Sequence, residues 1–144
     1  MHWAEKEVPS VELCKRLKEL GFPQTPDGYY WAKYAPTIKY KLYFRTEKDF
    51  FYFYNGQFWT ILTDPIETIK APTYREIDEW LPPYWKNWYP EFPCPIAIAL
   101  ENFIKKEYTP TNNKIDTHAK LLIFLRETGY IIFKQGDKDN AQPR

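Results

Sequence analysis

The chain has 144 residues, with 20 Lys and Arg against 19 Asp and Glu, and a net charge of +1. A chain of this length forms one domain whose core needs neither a disulfide nor a metal to hold it together. The near-neutral charge excludes a general attraction to nucleic acid or to an anionic membrane, so such binding would need a local basic patch. Aromatic residues make up 19% of the chain, and large amphipathic rings are common in contact surfaces as well as in cores.

The cysteines and the N-terminal residues predict a cytoplasmic protein. Cys14 and Cys94 are far apart and belong to no CxxC pair, which suits a reducing compartment. The start, MHWAEKEVPS, lacks the apolar segment of a signal peptide. No stretch reaches the roughly 18 apolar residues that a membrane span needs. We therefore expect a soluble protein that makes no membrane association.

The segment PSVELCKRLKELGFP predicts the first helix. Ser10 can cap its N-terminus, and Gly21 is positioned to end it. Leu13, Leu17 and Leu20 recur at helical spacing, so they form one apolar stripe that faces a core.

Two strand patterns follow the PDG turn, YYWAKY and TIKYKLYFR. The second alternates strictly, so its side chains divide between the two faces of a sheet. One face carries Ile38, Tyr40, Leu42 and Phe44, and the other carries Lys39, Lys41, Tyr43 and Arg45.

The segment FFYFYNGQFWTIL predicts a β-hairpin around Asn55 and Gly56. Asn-Gly favours a two-residue type I′ turn, because both positions need positive φ. Such a turn fixes the register, which pairs Tyr54 with Gln57, Phe53 with Phe58, Tyr52 with Trp59 and Phe51 with Thr60.

This register separates the all-carbon rings from the polar ones. A buried face favours Phe, because a buried Tyr must find a hydrogen-bond partner. We therefore expect one face to lie in the core, and its members are Phe51, Phe53, Phe58 and Leu62. The opposite face carries Tyr52, Tyr54 and Trp59.

The remaining segments predict a short strand, three helices and a tail. IETIK reads as a strand, and APTYREIDEWLPP as a helix with a capping box of Thr73 and Glu76. Tyr74, Ile77 and Leu81 form the inner side of that helix. PIAIALENFIKKE and HAKLLIFLRETG predict two further helices, the second capped by Asp116 or Thr117 and ended by Gly129. YIIF predicts a last short strand before the polar tail.

The predicted fold is α+β, an antiparallel meander sheet of three to five strands with three to four helices packed mainly on one face. We expect residues 1–133 to form a single globular domain and residues 134–144 to form a flexible tail, because the tail carries no apolar anchor.

Catalytic and metal-binding motifs are weak in this sequence. GxGxxG, GxxxxGK[ST], HExxH and GxSxG do not occur. His2, His118 and the two cysteines are not at metal-ligand spacing. We predict no catalytic residues, no metal and no cofactor, which favours a non-catalytic protein and leaves an enzyme of another class open.

The first candidate site is the polar side of the second strand pattern. Cations alternating with a ring can hold phosphates while a base stacks, which is typical of single-stranded nucleic-acid binding. Its members are Lys33, Lys39, Lys41, Tyr43 and Arg45. The competing interpretation is an edge strand that its lysines protect against aggregation.

The second candidate site is an aromatic surface for a protein partner, in which the polar side of the hairpin meets an aromatic, Pro-rich segment. Its members are Tyr52, Tyr54, Trp59, Tyr84, Trp85, Trp88 and Tyr89. Alternatively, these rings form a second small core.

Two segments resemble short bacteriophage and prophage accessory proteins. SVELCKRLKELGFPQ followed by YYW resembles their opening, and IETIKAPTYREIDEWLP resembles a strand-to-helix segment in proteins of this kind, including those of Bacteroidetes phages. The match covers about a third of the chain, and both motifs are structural. The resemblance implies a phage-borne product that acts in the bacterial cytoplasm and carries over no catalytic residues. A protein partner is the first expectation and nucleic acid the second, with monomer and homodimer both open.

Overall fold

The computed structural model describes residues 6–81, 94–110 and 113–133. Within these ranges the fold is α+β, as predicted, with an antiparallel five-stranded sheet and four helices. In chain order the elements are α1 (Val11–Glu19), β1 (Gly28–Lys33), β2 (Lys41–Arg45), β3 (Phe50–Tyr54), β4 (Gln57–Ile61), β5 (Glu67–Lys70), α2 (Tyr74–Asp78), α3 (Cys94–Glu107) and α4 (Lys114–Glu127). The predictions for residues 82–93 and for the tail at 134–144 lie outside the described residues.

The spatial order of the strands is β4-β3-β2-β1-β5. Strands β1 to β4 form a meander, and β5 returns to pair with the other side of β1. Strand β2 is therefore paired on both sides, by β1 and by β3. The prediction that its lysines protect a sheet edge is wrong, because the edges are β4 and β5.

Strand β2 is shorter than its alternating sequence predicts. It begins at Lys41, and residues 38–40 lie outside it. Ile38 is 47% exposed there rather than facing a core. The alternation holds where pairing exists, since Leu42 opposes Trp31 and Tyr43 opposes Tyr30 across the β1–β2 ladder.

The hairpin of β3 and β4 confirms the predicted register at every pair from Phe51–Thr60 to Tyr54–Gln57. Asn55 has φ 52° and Gly56 has φ 77°, as a type I′ turn requires. The turn therefore decides which hairpin residues share a face.

Helix α1 lies between the sheet and the other helices. Cys14 packs with Trp31, Leu42 and Ile69 on one face of the sheet, which is the predicted Phe face. On its other side Leu17 joins the helical core. That core is built from α2, α3, α4 and the segment after α4; its fully buried members include Ile77, Ile115, Leu121, Leu122 and Leu125.

The predicted core places of Phe58 and Leu62 are wrong. Phe58 is 57% exposed and Leu62 is 93% exposed, while Phe51 is half-buried. A helix about 10 Å wide covers only two or three strands spaced about 4.8 Å apart. Because α1 packs over β5, β1 and the Leu42 part of β2, the same face of β3 and β4 extends beyond it. The Phe53 side chain lies outside the described part.

The helix boundaries differ from prediction at two places. The capping box of Thr73 and Glu76 is present at α2, but Asn113, and neither Asp116 nor Thr117, caps α4. Residues 130–133 form no strand; instead Tyr130 and Ile131 turn back into the helical core. Across the described ranges, no helix is long and apolar enough to cross a membrane.

Candidate functional site: the Tyr/Lys face

The sheet face opposite α1 carries rings and cations from four strands, and we call it the Tyr/Lys face. Strand register assembles it, since Tyr30 opposes Tyr43, Arg45 opposes Phe50, and Tyr52 opposes Trp59. Its members are Tyr30, Lys41, Tyr43, Arg45, Phe50, Tyr52, Tyr54 and Trp59.

The rings of this face contact one another in a continuous row. Tyr43 lies 5.4 Å, between ring centroids, from both Tyr34 and Tyr52. Tyr52 in turn stacks on Tyr54 at 6.5 Å with planes 21° apart. Edge-on and offset contacts of this kind stabilise aromatic pairs by about 0.5–1.5 kcal/mol beyond burial. The row therefore holds each ring in place before any partner arrives.

Two cations of strand β2 lie against these rings. The Arg45 guanidinium is 5.1 Å from the Phe50 centroid and 5.2 Å from that of Tyr30. The Lys41 ammonium is 5.9 Å from the Tyr52 centroid. Within the described residues neither cation forms a salt bridge. Both charges are therefore positioned by rings without being neutralised by a carboxylate.

Exposure increases along the face toward β4. Tyr30 is fully buried, and its hydroxyl donates a hydrogen bond to the Thr25 carbonyl. Tyr43 is half-buried, and that burial raises the pKa of its hydroxyl. Tyr54 and Trp59 are 58% and 53% exposed. Trp59 Nε1 donates to the Tyr54 carbonyl at 3.2 Å, which orients the indole across the hairpin.

The structure brings together most of the two candidate sites predicted from the sequence. Lys41, Tyr43 and Arg45 lie beside the other set, Tyr52, Tyr54 and Trp59, because β2 pairs with β3. The two proposed sites are thus parts of one surface. Tyr84, Trp85, Trp88 and Tyr89 lie outside the described residues.

Lys33 and Lys39 do not belong to the face. Alternation along β1 puts Lys33 on the α1 side, where its ammonium is 4.8 Å from the Tyr40 centroid and 4.0 Å from the Glu67 carboxylate. Lys39 precedes β2 and is exposed. The predicted basic cluster is reduced to Lys41 and Arg45.

Sequence reasoning included neither Tyr30 nor Phe50, the two rings that hold Arg45, in a candidate site, although the hairpin register already placed Phe50 on this face. The two rings lie 6.1 Å apart although twenty positions separate them in the chain. The YYWAKY pattern identified a strand but not its partner, because hydrophobic alternation says nothing about which strands become neighbours.

The α1 side of the sheet has a second feature, an apolar groove of about 390 Å³ lined by Tyr29, Phe44, Phe51 and Phe58. Phe44 lies 5.5 Å from Tyr29 and 6.5 Å from Phe58. The groove occupies the part of the Phe face that α1 leaves open, so it ends at strand β4.

A third cluster, around His118, joins the helices. His118 Nε2 is 2.5 Å from an Asp78 carboxylate oxygen, and Nδ1 is 3.4 Å from the Tyr108 hydroxyl. The Tyr74 ring lies 5.2 Å from the imidazole. Because His118 is only 5% exposed, this cluster ties α2 and the end of α3 to α4 inside the protein. Among the described residues, no group of three or more His, Cys, Asp or Glu side chains is arranged to hold a metal.

The chain was compared with models of protein families, with curated proteins and with solved structures. None of the three comparisons found a match.

Proposed function

We propose that this chain is a non-catalytic accessory protein that binds a macromolecule through the Tyr/Lys face. One observation carries the proposal: exposed rings share one pre-ordered sheet face with two cations that form no salt bridge to any described residue. The resemblance to phage accessory proteins supports a role in a bacterial cytoplasm, on a host or phage component.

A protein is the partner that the chemistry of the exposed end favours. Trp, Tyr and Arg dominate the binding energy of protein interfaces, and Trp59, Tyr54 and Arg45 are of these types. Rings already held by neighbours lose little conformational entropy on binding. The row from Tyr43 to Tyr54 meets this condition, since each ring touches the next.

Single-stranded nucleic acid is the second candidate, and the two cations favour it. A positively charged groove beside stacking rings binds such strands with little sequence preference. Lys41 and Arg45 flank Tyr43 on the same strand and the same face, so a cation lies on either side of the ring.

The partner is tested by capture from bacterial lysate with tagged protein, identified by mass spectrometry. Trp59→Ala should abolish capture, because the indole is the largest exposed ring of the face. Phe58→Ala is the matched control, since Phe58 directly precedes Trp59 on the same strand, is similarly exposed and lies on the opposite face. Retained capture by Trp59→Ala would contradict the proposed surface, provided that circular dichroism shows both variants folded.

A salt titration with a fluorescent oligothymidine separates the two candidates. If Lys41 and Arg45 each release a counterion, the logarithm of the binding constant should fall by about 1.4 for each tenfold rise in salt. Lys41→Gln should reduce that slope by about half. The absence of oligonucleotide binding at low salt would remove nucleic acid and leave the protein partner.

A further inference from the structure

Strand β4 is an outer edge of the sheet, and its own sequence carries none of the residues that usually protect such an edge. Its residues and the one that follows, QFWTIL, include neither a charge nor a proline. Phe58, Trp59 and Leu62 are each more than half exposed. Within the described residues no strand pairs with the outer side of β4. Natural edge strands of this length normally carry lysine, proline or a bulge, because an open edge recruits another strand.

The opposite edge, β5, is protected by side chains. Thr68 and Lys70 direct their backbone groups away from β1. The Thr68 carbonyl accepts a hydrogen bond from Lys18 Nζ at 2.8 Å, and the Lys70 N–H donates to Gln24 Oε1 at 2.8 Å. Pro65 and Pro72 also bracket this strand. Among the residues that the structure describes, one edge of the sheet is therefore closed and the other is left open.

The hairpin register determines which backbone groups point outward from β4. Residues that flank a two-residue turn form a hydrogen-bonded pair, and such pairs then alternate along the ladder. Gln57, Trp59 and Ile61 therefore bond to β3. Thr60, between them, directs its N–H and carbonyl away from the sheet.

We propose that two copies of this chain pair antiparallel through β4, about a two-fold axis at Thr60, and form one continuous sheet. The Thr60 residues of the two copies exchange their outward hydrogen bonds. Trp59 then lies opposite Ile61 of the second copy, and Phe58 opposite its Leu62. Every pair is apolar or neutral, so the strand is complementary to itself, as a two-fold interface requires.

A second copy is favoured over a foreign strand by the exposed apolar side chains at this edge. Phe58 and Leu62 lie on the same face as the apolar groove, and Phe58 lines it. Pairing in this register places Leu62 of the second copy against Phe58 and extends the groove across the junction. Such a small interface binds weakly, with a dissociation constant on the order of micromolar.

The test is sedimentation velocity of the full chain over a range of concentration. The wild type should shift from the mass of one chain to that of two as its concentration rises. Leu62→Lys puts an ammonium against the apolar Phe58 of the second copy and should raise the dissociation constant at least tenfold. Ile66→Lys is the matched control, because Ile66 is 55% exposed beside the protected edge, and it should dimerise as the wild type does.

Thr60→Pro tests the backbone pairing itself. It removes the outward N–H while leaving the bonds to β3, so the hairpin should persist by circular dichroism and the dimer should be lost.

In a Cys94→Ser background, mild oxidation should link two Thr60→Cys chains but not two Gln57→Cys chains, because only position 60 meets itself across the axis. A wild type that stays monomeric at all concentrations would overturn the proposal. So would Leu62→Lys chains that dimerise like the wild type, or cross-linking of Gln57→Cys in place of Thr60→Cys.

Discussion

Replacing Gly28, the first residue of β1, with Ala should destabilise the protein through two separable effects. Gly28 has φ +101°, a conformation that L-residues rarely adopt. A Cβ at this position would lie 2.7 Å from Lys70 Nζ. That ammonium is held in place, because it donates to the Asp27 carbonyl and lies 2.9 Å from a Glu76 carboxylate oxygen. A lysine tail would ordinarily move aside, but Lys70 is only 1% exposed.

The two effects have different sizes. The positive φ costs an L-residue about 1–2 kcal/mol. Breaking a fully buried ion pair costs about 3–5 kcal/mol, and the 32% exposure of Glu76 reduces this to about 1–3 kcal/mol since water can solvate its carboxylate. Alanine also restricts the unfolded chain, which returns about 0.4–1 kcal/mol. We therefore expect Gly28→Ala to lower the free energy of unfolding by about 2–4 kcal/mol.

Urea unfolding of the wild type, Gly28→Ala, Lys70→Met and the double variant measures both effects. In a Lys70→Met background the ammonium is absent, so Gly28→Ala should cost only the backbone effect, about 1 kcal/mol. Gly56→Ala isolates the same effect elsewhere, because Gly56 has φ +77° and no atom within 4 Å of its Cβ position. An equal cost of Gly28→Ala in both backgrounds would show that the contact with Lys70 contributes nothing and would refute this reasoning.

Three further residues, Tyr34, Cys14 and Thr73, give predictions with defined outcomes. Tyr34 Oη is buried without a hydrogen-bond partner among the described residues, so Tyr34→Phe should leave stability unchanged or raise it by up to about 2 kcal/mol in thermal unfolding. Burial raises the pKa of Tyr34 to about 12, so the unfolded chain loses this proton at a lower pH than the folded protein does. Stability should therefore fall as pH rises from about 10 to about 12, and it should fall less steeply in Tyr34→Phe. An unchanged slope in Tyr34→Phe would contradict this. Burial also raises the pKa of the Cys14 thiol, so in a Cys94→Ser background the folded protein should resist a thiol reagent at pH 8 that labels it fully in urea. Thr73→Ala removes the side chain that accepts from the Glu76 N–H and should cost about 1 kcal/mol of unfolding free energy; no measurable loss would show that this capping box does not stabilise α2.

The candidate site shows where local rules stop being sufficient. The Asn55–Gly56 turn determined which hairpin rings share a face, because two-residue turns allow one register. The same reasoning placed Phe58 and Leu62 in the core, where they do not lie. Alternation sorts residues between two faces, but it does not say how far a helix extends across either of them.

The local features of this protein are decided by neighbouring residues in the chain, and its sequence was enough to predict them. The α1 stripe, the Thr73 capping box and the hairpin turn all depend on residues within a few positions of each other. The predicted cap of α4 was wrong although capping is a local feature, because Asn113, Asp116 and Thr117 are all able to cap a helix.

Only the tertiary structure decided that β2 lies inside the sheet, and so made two candidate sites into one. Strand order depends on pairing between segments far apart in the chain, such as Tyr30 with Tyr43 and Lys70. The free energy that selects those pairs comes from burying α1 against β5 and β1, and no short stretch of sequence contains it. The same strand order leaves β4 unpaired on its outer side among the described residues, and it places β5 where side chains close its edge. The surfaces of this protein therefore follow from its topology, whereas its helices and turns follow from its sequence.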